Sequence, residues 1–311
     1  MSAQNVVVTG GAGYYGSVVC RQLLQAGHRV HVLDTLEYGP GPLMELFVHE
    51  RFHFTRGDVC DPGVVEPVVG DASVVVHLAA LVGYPLCKKF PERAHQVNVG
   101  GTQVVLDAMD PAARLVYAST GSNYGEVPGI CTEETALNPL SLYGETKTEA
   151  ERLCMARGNA MSFRFATAFG LSPRPRLDLM INDFTYQALV QRYLLVYERH
   201  FRRTFIHVHD MARAVLHGLD HWEAMQDQVY NCGHESMNYT KEQIVRLLQE
   251  RLDFHVHFAE IGSDQDKRDY EVSYARIRGA GFTTEIDIQR GLDELVAGLQ
   301  LIDVRRPFSN V

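Results

Sequence analysis

Val6-Val7-Val8-Thr9-Gly10-Gly11-Ala12-Gly13-Tyr14-Tyr15-Gly16 decides how this chain is read. Three β-branched residues in a row fit a strand buried on both faces, as in a parallel sheet. Gly10, Gly13 and Gly16 follow with the spacing G-x-x-G-x-x-G, in which small residues let the backbone turn tightly and approach a pyrophosphate. Val18, Val19, Leu23 and Leu24 then recur with helical period through Gln25, and Gly27 ends the helix, so a phosphate would meet a helix N-terminus. His31-Val32-Leu33 forms a second strand that Asp34 closes. A carboxylate there accepts hydrogen bonds from adenosine ribose hydroxyls and repels a 2′-phosphate, which predicts NAD rather than NADP. The expected cofactor contacts in this region are Gly10, Gly13, Tyr14, Tyr15, Gly16 and Asp34.

Strand and helix patterns alternate onward from Asp34. Phe52-His53-Phe54 reads as a third strand ending at Gly57-Asp58-Val59, where Asp58 could meet an adenine amine and Val59 a ring face. Ser73 to Leu78 is a fourth strand, and the small residues after Leu78, Ala79 and Ala80, would let backbone line a cofactor channel. Arg93 to Met109 reads as one helix. Asn98 lies inside it, on a solvated face or, if buried, placed to orient an active-site water or lysine. Arg114 to Ala118 is a fifth strand, Tyr143 to Arg157 a helix, and Ser162 to Ala166 a sixth strand. The alternation predicts an α/β fold, a doubly wound parallel Rossmann sheet, with ligands at the carboxyl ends of its strands. Residues 1–170 are expected to form this dinucleotide-binding domain, rejoined by about 198–232. Residues 171–197 and 233–311 are expected to form a smaller α/β substrate lobe. In that half Phe184–Gln191, Met211–Leu219 and Lys241–Arg251 read as helices, Phe205–Asp210 as extended, and Phe254–Glu260 as a half-exposed strand.

Composition narrows the partners. The chain has 311 residues, 46% hydrophobic and 22% charged, an ordinary balance for a globular protein with a full-sized core. A net charge of -9 argues against sequence-independent nucleic-acid binding. Arginines nevertheless cluster at 174 and 176 and at 199, 202 and 203, as an anionic small molecule would require. Six scattered cysteines without a C-x-x-C pair read as reduced thiols, the first strand begins too early for a signal peptide, and no apolar run is long enough to span a membrane. The expectation is a cytoplasmic protein. His255 and His257 alternate on one strand without a third ligand at a persuasive spacing, so they read as a solvated face and no metal is expected.

Tyr143 and Lys147 stand at i,i+4 on one helix face, with Ser119-Thr120 at a strand end upstream. A phenol is a poor base at neutral pH, but a neighbouring ammonium favours its phenolate. The phenolate can take a hydroxyl proton while hydride leaves the same carbon, with Thr120 hydrogen-bonded to that oxygen. Thr120, Tyr143 and Lys147 are therefore the expected catalytic residues, the last two also touching the cofactor.

With these residues in place, the chain resembles the extended short-chain dehydrogenase/reductases, and within them the NAD-dependent sugar-nucleotide epimerase/dehydratase family. Thr9 to Gly16 is similar to the family's Thr-Gly-Gly-x-Gly-Phe/Tyr-Ile-Gly. Asp58-Val59-Cys60-Asp61, His77 to Ala80, Asn98 to Thr102 and Asn138 to Lys147 resemble its later motifs. The resemblance implies bound NAD, a nucleotide-diphosphate sugar as substrate, and oxidation of a sugar carbon, usually C4, with later return of the hydride. It also implies a homodimer formed through Arg93–Met109 and Tyr143–Arg157. Arg202-Arg203-Thr204-Phe205-Ile206-His207 resembles a segment whose arginine meets the nucleotide diphosphate, with Arg203 in the better register, and Lys267-Arg268-Asp269-Tyr270 resembles a later phosphate-binding segment. Substrate contacts are expected from Thr120, Ser122, Asn123, Arg174, Asn182, Arg203 and Arg268.

Two departures bear on the reaction. Tyr15 stands where the family usually has Ile, so the turn must house a ring. The 4,6-dehydratases usually follow the catalytic Thr with Asp-Glu, whereas Gly121-Ser122 follows Thr120 here, which turns the expectation toward an epimerase. Ser172-Pro173-Arg174 and the Asp266–Tyr270 stretch are similar to a subgroup that includes GDP-heptose C4 dehydrogenases, so a net 4-dehydrogenase is the first rival, followed by a dehydratase and a non-catalytic NAD-binding protein.

Overall fold

The three consecutive valines of the first strand need cover on both sides, and the structure supplies it. A computed structural model describes residues 3–127, 129–259 and 271–302. Its central sheet has seven parallel strands: β1 (Asn5–Thr9), β2 (Arg29–Asp34), β3 (Phe52–Arg56), β4 (Val74–His77), β5 (Arg114–Thr120), β6 (Ala160–Phe165) and β7 (Gln228–Cys232). They lie in the order β7-β6-β5-β4-β1-β2-β3. Val6, Val8, Val32 and Val76 face one layer, formed by helices Tyr14–Gln25 and Val208–Asp220. Val7, Leu33, Val75 and Leu115 face the other, formed by helices Pro62–Val69, Thr102–Ala108 and Leu142–Arg157. The chain runs outward from β1 through β3, then returns to place β4 on the other side of β1. That reversal opens a crevice beyond the carboxyl ends of β1 and β4.

A second core gathers Phe169, Phe184, Leu194, Val196, Phe205, Ile244, Leu248, Leu292 and Leu295. It lies against a three-stranded sheet of Thr167–Phe169, Arg202–His207 and Asn238–Thr240, and a parallel pair of Tyr193–Tyr197 and His255–Ala259. His255 and His257 are exposed on that pair. No group of three metal-ligating side chains occurs among the described residues, and no helix among them is long and apolar enough to cross a membrane.

Several elements differ from the sequence expectation for identifiable reasons. The single helix expected over Arg93–Met109 is broken into Pro91–His95, a π-helical stretch Gln96–Gly101, and Thr102–Ala108. The wider turn carries Asn98 inward, and Gly101 allows close approach, since a Cβ there would lie 2.7 Å from Val59 Cγ2. The segment Phe205–Asp210 is not extended throughout. Its strand ends at His207, whose Nδ1 accepts from the His209 N–H at 3.3 Å and starts the helix Val208–Asp220. Histidine is outside the usual N-cap set, which hid that start. Strand β7 and its preceding helix return to the first core. Val272, Tyr274, Ile277 and Phe282 join the same core, although residues beyond 233 were expected in the second lobe.

Beneath the sheet's edge a buried ion pair ties three elements together. Arg164 of β6 donates to Glu151 at 2.6 Å and to the Tyr124 hydroxyl at 3.0 Å, while Glu151 also accepts from Ser162 at 3.1 Å. Removing one partner leaves an uncompensated charge in a dry site, so Glu151→Ala is expected to cost about 3–5 kcal/mol. Urea unfolding measures it; a loss below about 1 kcal/mol, the scale of exposed pairs, would refute the assignment.

Candidate active site

The glycine turn is shaped by backbone contact. Gly10 has φ +74, and a Cβ on it would lie 2.8 Å from Ala79 N. A Cβ on Gly16 would lie 2.2 Å from the Gly10 carbonyl oxygen. The turn therefore presents bare backbone at the start of helix Tyr14–Gln25, where unpaired N–H groups and the helix dipole favour an anion.

A buried polar chain fixes β1 against β4 below this turn. Thr102 Oγ1 gives its proton to the Asn98 carbonyl at 2.6 Å, so it can only accept from His77 Nε2 at 2.9 Å. His77 Nδ1 is then the acceptor for Thr9 Oγ1 at 2.7 Å. Thr9 Oγ1 in turn accepts from Leu78 N at 3.1 Å and Ala79 N at 3.2 Å. Burial, aided by the charge of Lys147, lowers the His77 pKa to about 3. The neutral ring holds the strand ends that carry Gly10 and Ala79.

At the nucleotide end, Asp34 accepts from Ala12 N at 2.9 Å and Leu36 N at 2.8 Å, which brace the glycine turn and the following loop. Burial raises its pKa and these N–H groups oppose the rise. Asp58 pairs with Arg93. Burial alone would raise the Asp58 pKa, but the Cys60 N–H and Arg93 hold it below the usual range.

At the reacting end, Ser141 caps the helix Leu142–Arg157 by accepting from Gly144 N at 3.2 Å. The helix brings Tyr143 and Lys147 to the same cleft as Thr120 and Ser122. Thr120 Oγ1 accepts from Ser122 N at 3.1 Å and donates to Ser122 Oγ at 3.1 Å. Lys147 is 4% exposed, with Nζ 4.1 Å from the centroid of the Tyr117 ring. Burial lowers its pKa to about 8, against the opposing pull of Cys154 and Glu151.

One cleft of about 1230 Å³ connects these parts. Gly10, Gly13, Gly16, Asp34, Asp58, Val59, Leu78, Ala79, Ala80, Thr120, Ser122, Tyr143, Lys147, Arg174 and Arg203 all line it. Tyr14 and Tyr15 line it too, but their hydroxyls turn away to the Gly170 and Met211 carbonyl oxygens, each at 2.9 Å. The unusual Tyr15 ring is housed edge-on against Phe165, centroids 5.3 Å apart. Three expected contacts do not reach the cleft. Asn123 is fully buried and donates to Ser119 Oγ at 3.0 Å. Asn182 uses its amide on Gly170 N, Gly170 O and Arg176 O, so it holds a turn. Asn98 accepts from Leu81 N at 2.7 Å and donates to Thr146 Oγ1 at 3.0 Å, fastening the loop after β4 to helix Leu142–Arg157. Arg268 lies outside the described residues. The sequence reading missed Tyr38, Arg93 and Lys241, which also line the cleft, and noted Arg176 only as part of an arginine cluster. For Arg176 the signal was its spacing from Arg174; the others sit in loops or at helix starts with no periodic pattern to mark them.

The description "NAD dependent epimerase/dehydratase family" belongs to a family model that matches residues 6–233. The chain belongs to that family. A dTDP-glucose 4,6-dehydratase of Streptomyces griseus is 31% identical over 315 residues, covering 94% of this chain and 93% of the relative. The protein named as an uncharacterized UDP-glucose epimerase, YtcB, of Bacillus subtilis (strain 168) is 31% identical over 229 residues, 68% of this chain and 71% of its own. The UDP-glucuronic acid 4-epimerase of Bacillus cereus, solved with UDP-glucuronic acid and NAD, shares the fold with a TM-score of 0.85 at 24% identity, covering 95% of this chain and 98% of that one.

The family's dinucleotide fits the residues present. Bare backbone at Gly10–Gly16 suits a pyrophosphate, and Asp34 stands at the end of β2 where ribose hydroxyls need an acceptor. The polar chain under this site has a pH signature. His77 binds its proton near pH 3 when folded and near 6.5 when unfolded, so its contribution to stability is complete above about 6.5 and is lost as pH falls toward 3. Between pH 7 and 5 the loss from this one group is about 2 kcal/mol. Urea titrations of wild type and His77→Gln at both pH values test this, and an equal pH dependence in the two proteins would refute it.

Proposed function

We propose that this sugar-nucleotide enzyme is a 4-epimerase, oxidising a sugar hydroxyl through a transient keto sugar and restoring it with the opposite configuration. The observation that carries the reading is the convergence of Thr120, Tyr143 and Lys147 on the cleft that holds the glycine turn, with Gly121-Ser122 after Thr120 in place of a carboxyl pair. Water loss needs an acid and a base beside the sugar, and that position supplies neither.

NAD bound at the glycine turn supplies the acceptor, and later the donor, of the hydride. The remaining work falls to the chain. Thr120 and Ser122 hydrogen-bond to each other and to the oxygen at the reacting carbon. Tyr143 takes the hydroxyl proton as its C–H bond breaks, and returns it when the keto group is reduced. Lys147, held charged below about pH 8 and close to the Tyr117 ring, favours the Tyr143 phenolate. Arg203, 6% exposed on strand Arg202–His207, faces the substrate diphosphate with its fork of donors. The apolar walls of the cleft keep water from the keto sugar. The protein works as a homodimer, paired through Arg93–Met109 and Tyr143–Arg157, on the cytoplasmic pool of nucleotide sugars.

Tyr143→Phe removes the proton acceptor and leaves the glycine turn and Asp34 of the cofactor site untouched. Turnover is expected to fall at least a thousandfold while NAD affinity stays within about twofold; substantial residual turnover would refute the mechanism. The reaction itself is tested by incubating the protein with UDP-, GDP-, dTDP-, CDP- and ADP-sugars, following absorbance at 340 nm and analysing products. A C4 epimer without lasting NADH is expected. Lasting NADH beside a released keto sugar would replace this reading with a net dehydrogenase, and loss of water would replace it with a dehydratase.

A further inference from the structure

The segment Gly170–Arg176 leaves the strand Thr167–Phe169 and settles on the phosphate-binding end of helix Tyr14–Gln25. The Tyr14 hydroxyl donates to Gly170 O at 2.9 Å, and Ser172 Oγ donates to Tyr14 O at 2.6 Å. The Ser17 and Ser172 hydroxyls lie 3.2 Å apart, and Arg174 N donates to Ser172 Oγ at 3.3 Å. From this anchored turn Arg174 reaches over the Tyr38 ring, 3.9 Å from its centroid. Tyr38 belongs to the loop that follows Asp34, and Asp34 and Arg174 attract each other across the cleft.

Arg174 is therefore delivered to the nucleotide end of the cleft, away from Thr120 and Tyr143. It is 5% exposed. Among the described residues its guanidinium has no ion pair and no side-chain hydrogen bond. The neighbouring Arg176 differs, since both oxygens of Asp178 hold it at 3.1 and 2.5 Å. A buried guanidinium with no carboxylate in direct contact among the described residues is costly, and burial together with the like charge of Arg176 disfavours its charged form against the weaker pull of Tyr38, Asp178 and Asp34. A neutralising anion from the cleft side would relieve that cost.

We propose that Arg174 closes on the diphosphate of the dinucleotide cofactor rather than on that of the substrate, with Tyr38 holding the guanidinium in place. This rests on the reading of the cleft as an NAD site. Cofactor escape then requires Gly170–Arg176 to detach from Tyr14 and Ser17, which suits an enzyme that returns hydride from the same cofactor molecule.

Dissociation constants for NAD, ADP and adenosine, measured by calorimetry on wild type and Arg174→Met, test the proposal. The variant is expected to bind NAD and ADP at least tenfold more weakly and adenosine within twofold of wild type. Tyr38→Leu, a change at a half-exposed side chain that does not threaten folding, is expected to weaken NAD at least threefold. Wild-type affinity for NAD and ADP in both variants would overturn the clamp while leaving the cofactor site intact. A wild-type protein that binds neither ligand would overturn the NAD reading itself, and the clamp with it.

Discussion

Backbone must touch backbone for this molecule to work. Gly10 and Gly16 leave no room for a side chain, because Ala79 N lies 2.8 Å from a Cβ on the first and Gly10 O lies 2.2 Å from a Cβ on the second. That closeness brings the ends of β1 and β4 together at the point where the strand order reverses. At the glycine turn the crevice meets backbone rather than side chains. The Thr9–His77–Thr102 chain beneath it uses every proton in one sense, so the strand ends have one low-energy arrangement. A neutral histidine is the right piece for that place: it donates from one nitrogen and accepts at the other, and burial keeps it from charging.

Much of this was legible in the amino-acid order because it rests on local physics. β-Branched runs announce buried strands, a glycine triplet between strand and helix announces a phosphate turn, and an i,i+4 Tyr–Lys pair stays together on any helix. What escaped depends on contacts distant in the chain. Tyr14 and Tyr15 read as cofactor neighbours, yet their hydroxyls serve Gly170 and Met211. Asn98 read as a polar residue on a regular helix, but the π-helical stretch turns it to Leu81 and Thr146. Asn123 and Asn182 carried the right chemistry for a ligand and spend it on Ser119 and on the Gly170 turn. Nothing in the order of residues distinguishes an amide that binds a substrate from one that binds a loop. Strand β7 was hidden for a similar reason: its register against β6 is set by tertiary pairing, not by a pattern of its own.

The lobes are joined where the chemistry needs them joined. Tyr14 and Ser172 fasten the second lobe to the phosphate helix, and Tyr15 reaches helix Val208–Asp220 of the first lobe's outer layer. The helix that presents the nucleotide site thus also positions the segment carrying Arg174. Asn98 does the equivalent service at the other end, linking the loop after β4 to the helix of Tyr143 and Lys147. A nucleotide entering at one end and a sugar reacting at the other therefore meet side chains set by the same few hydrogen bonds.

The chain carries a net charge of -9, yet Lys147, Arg174, Arg203 and Lys241 are all buried beside one cleft. A cation held in a low-dielectric site loses hydration, and a bound diphosphate offsets part of that loss. Binding free energy is then available to stabilise the folded state, as any ligand specific for the native form does. In such a protein specificity for anionic nucleotides and tolerance of otherwise costly buried cations are one property.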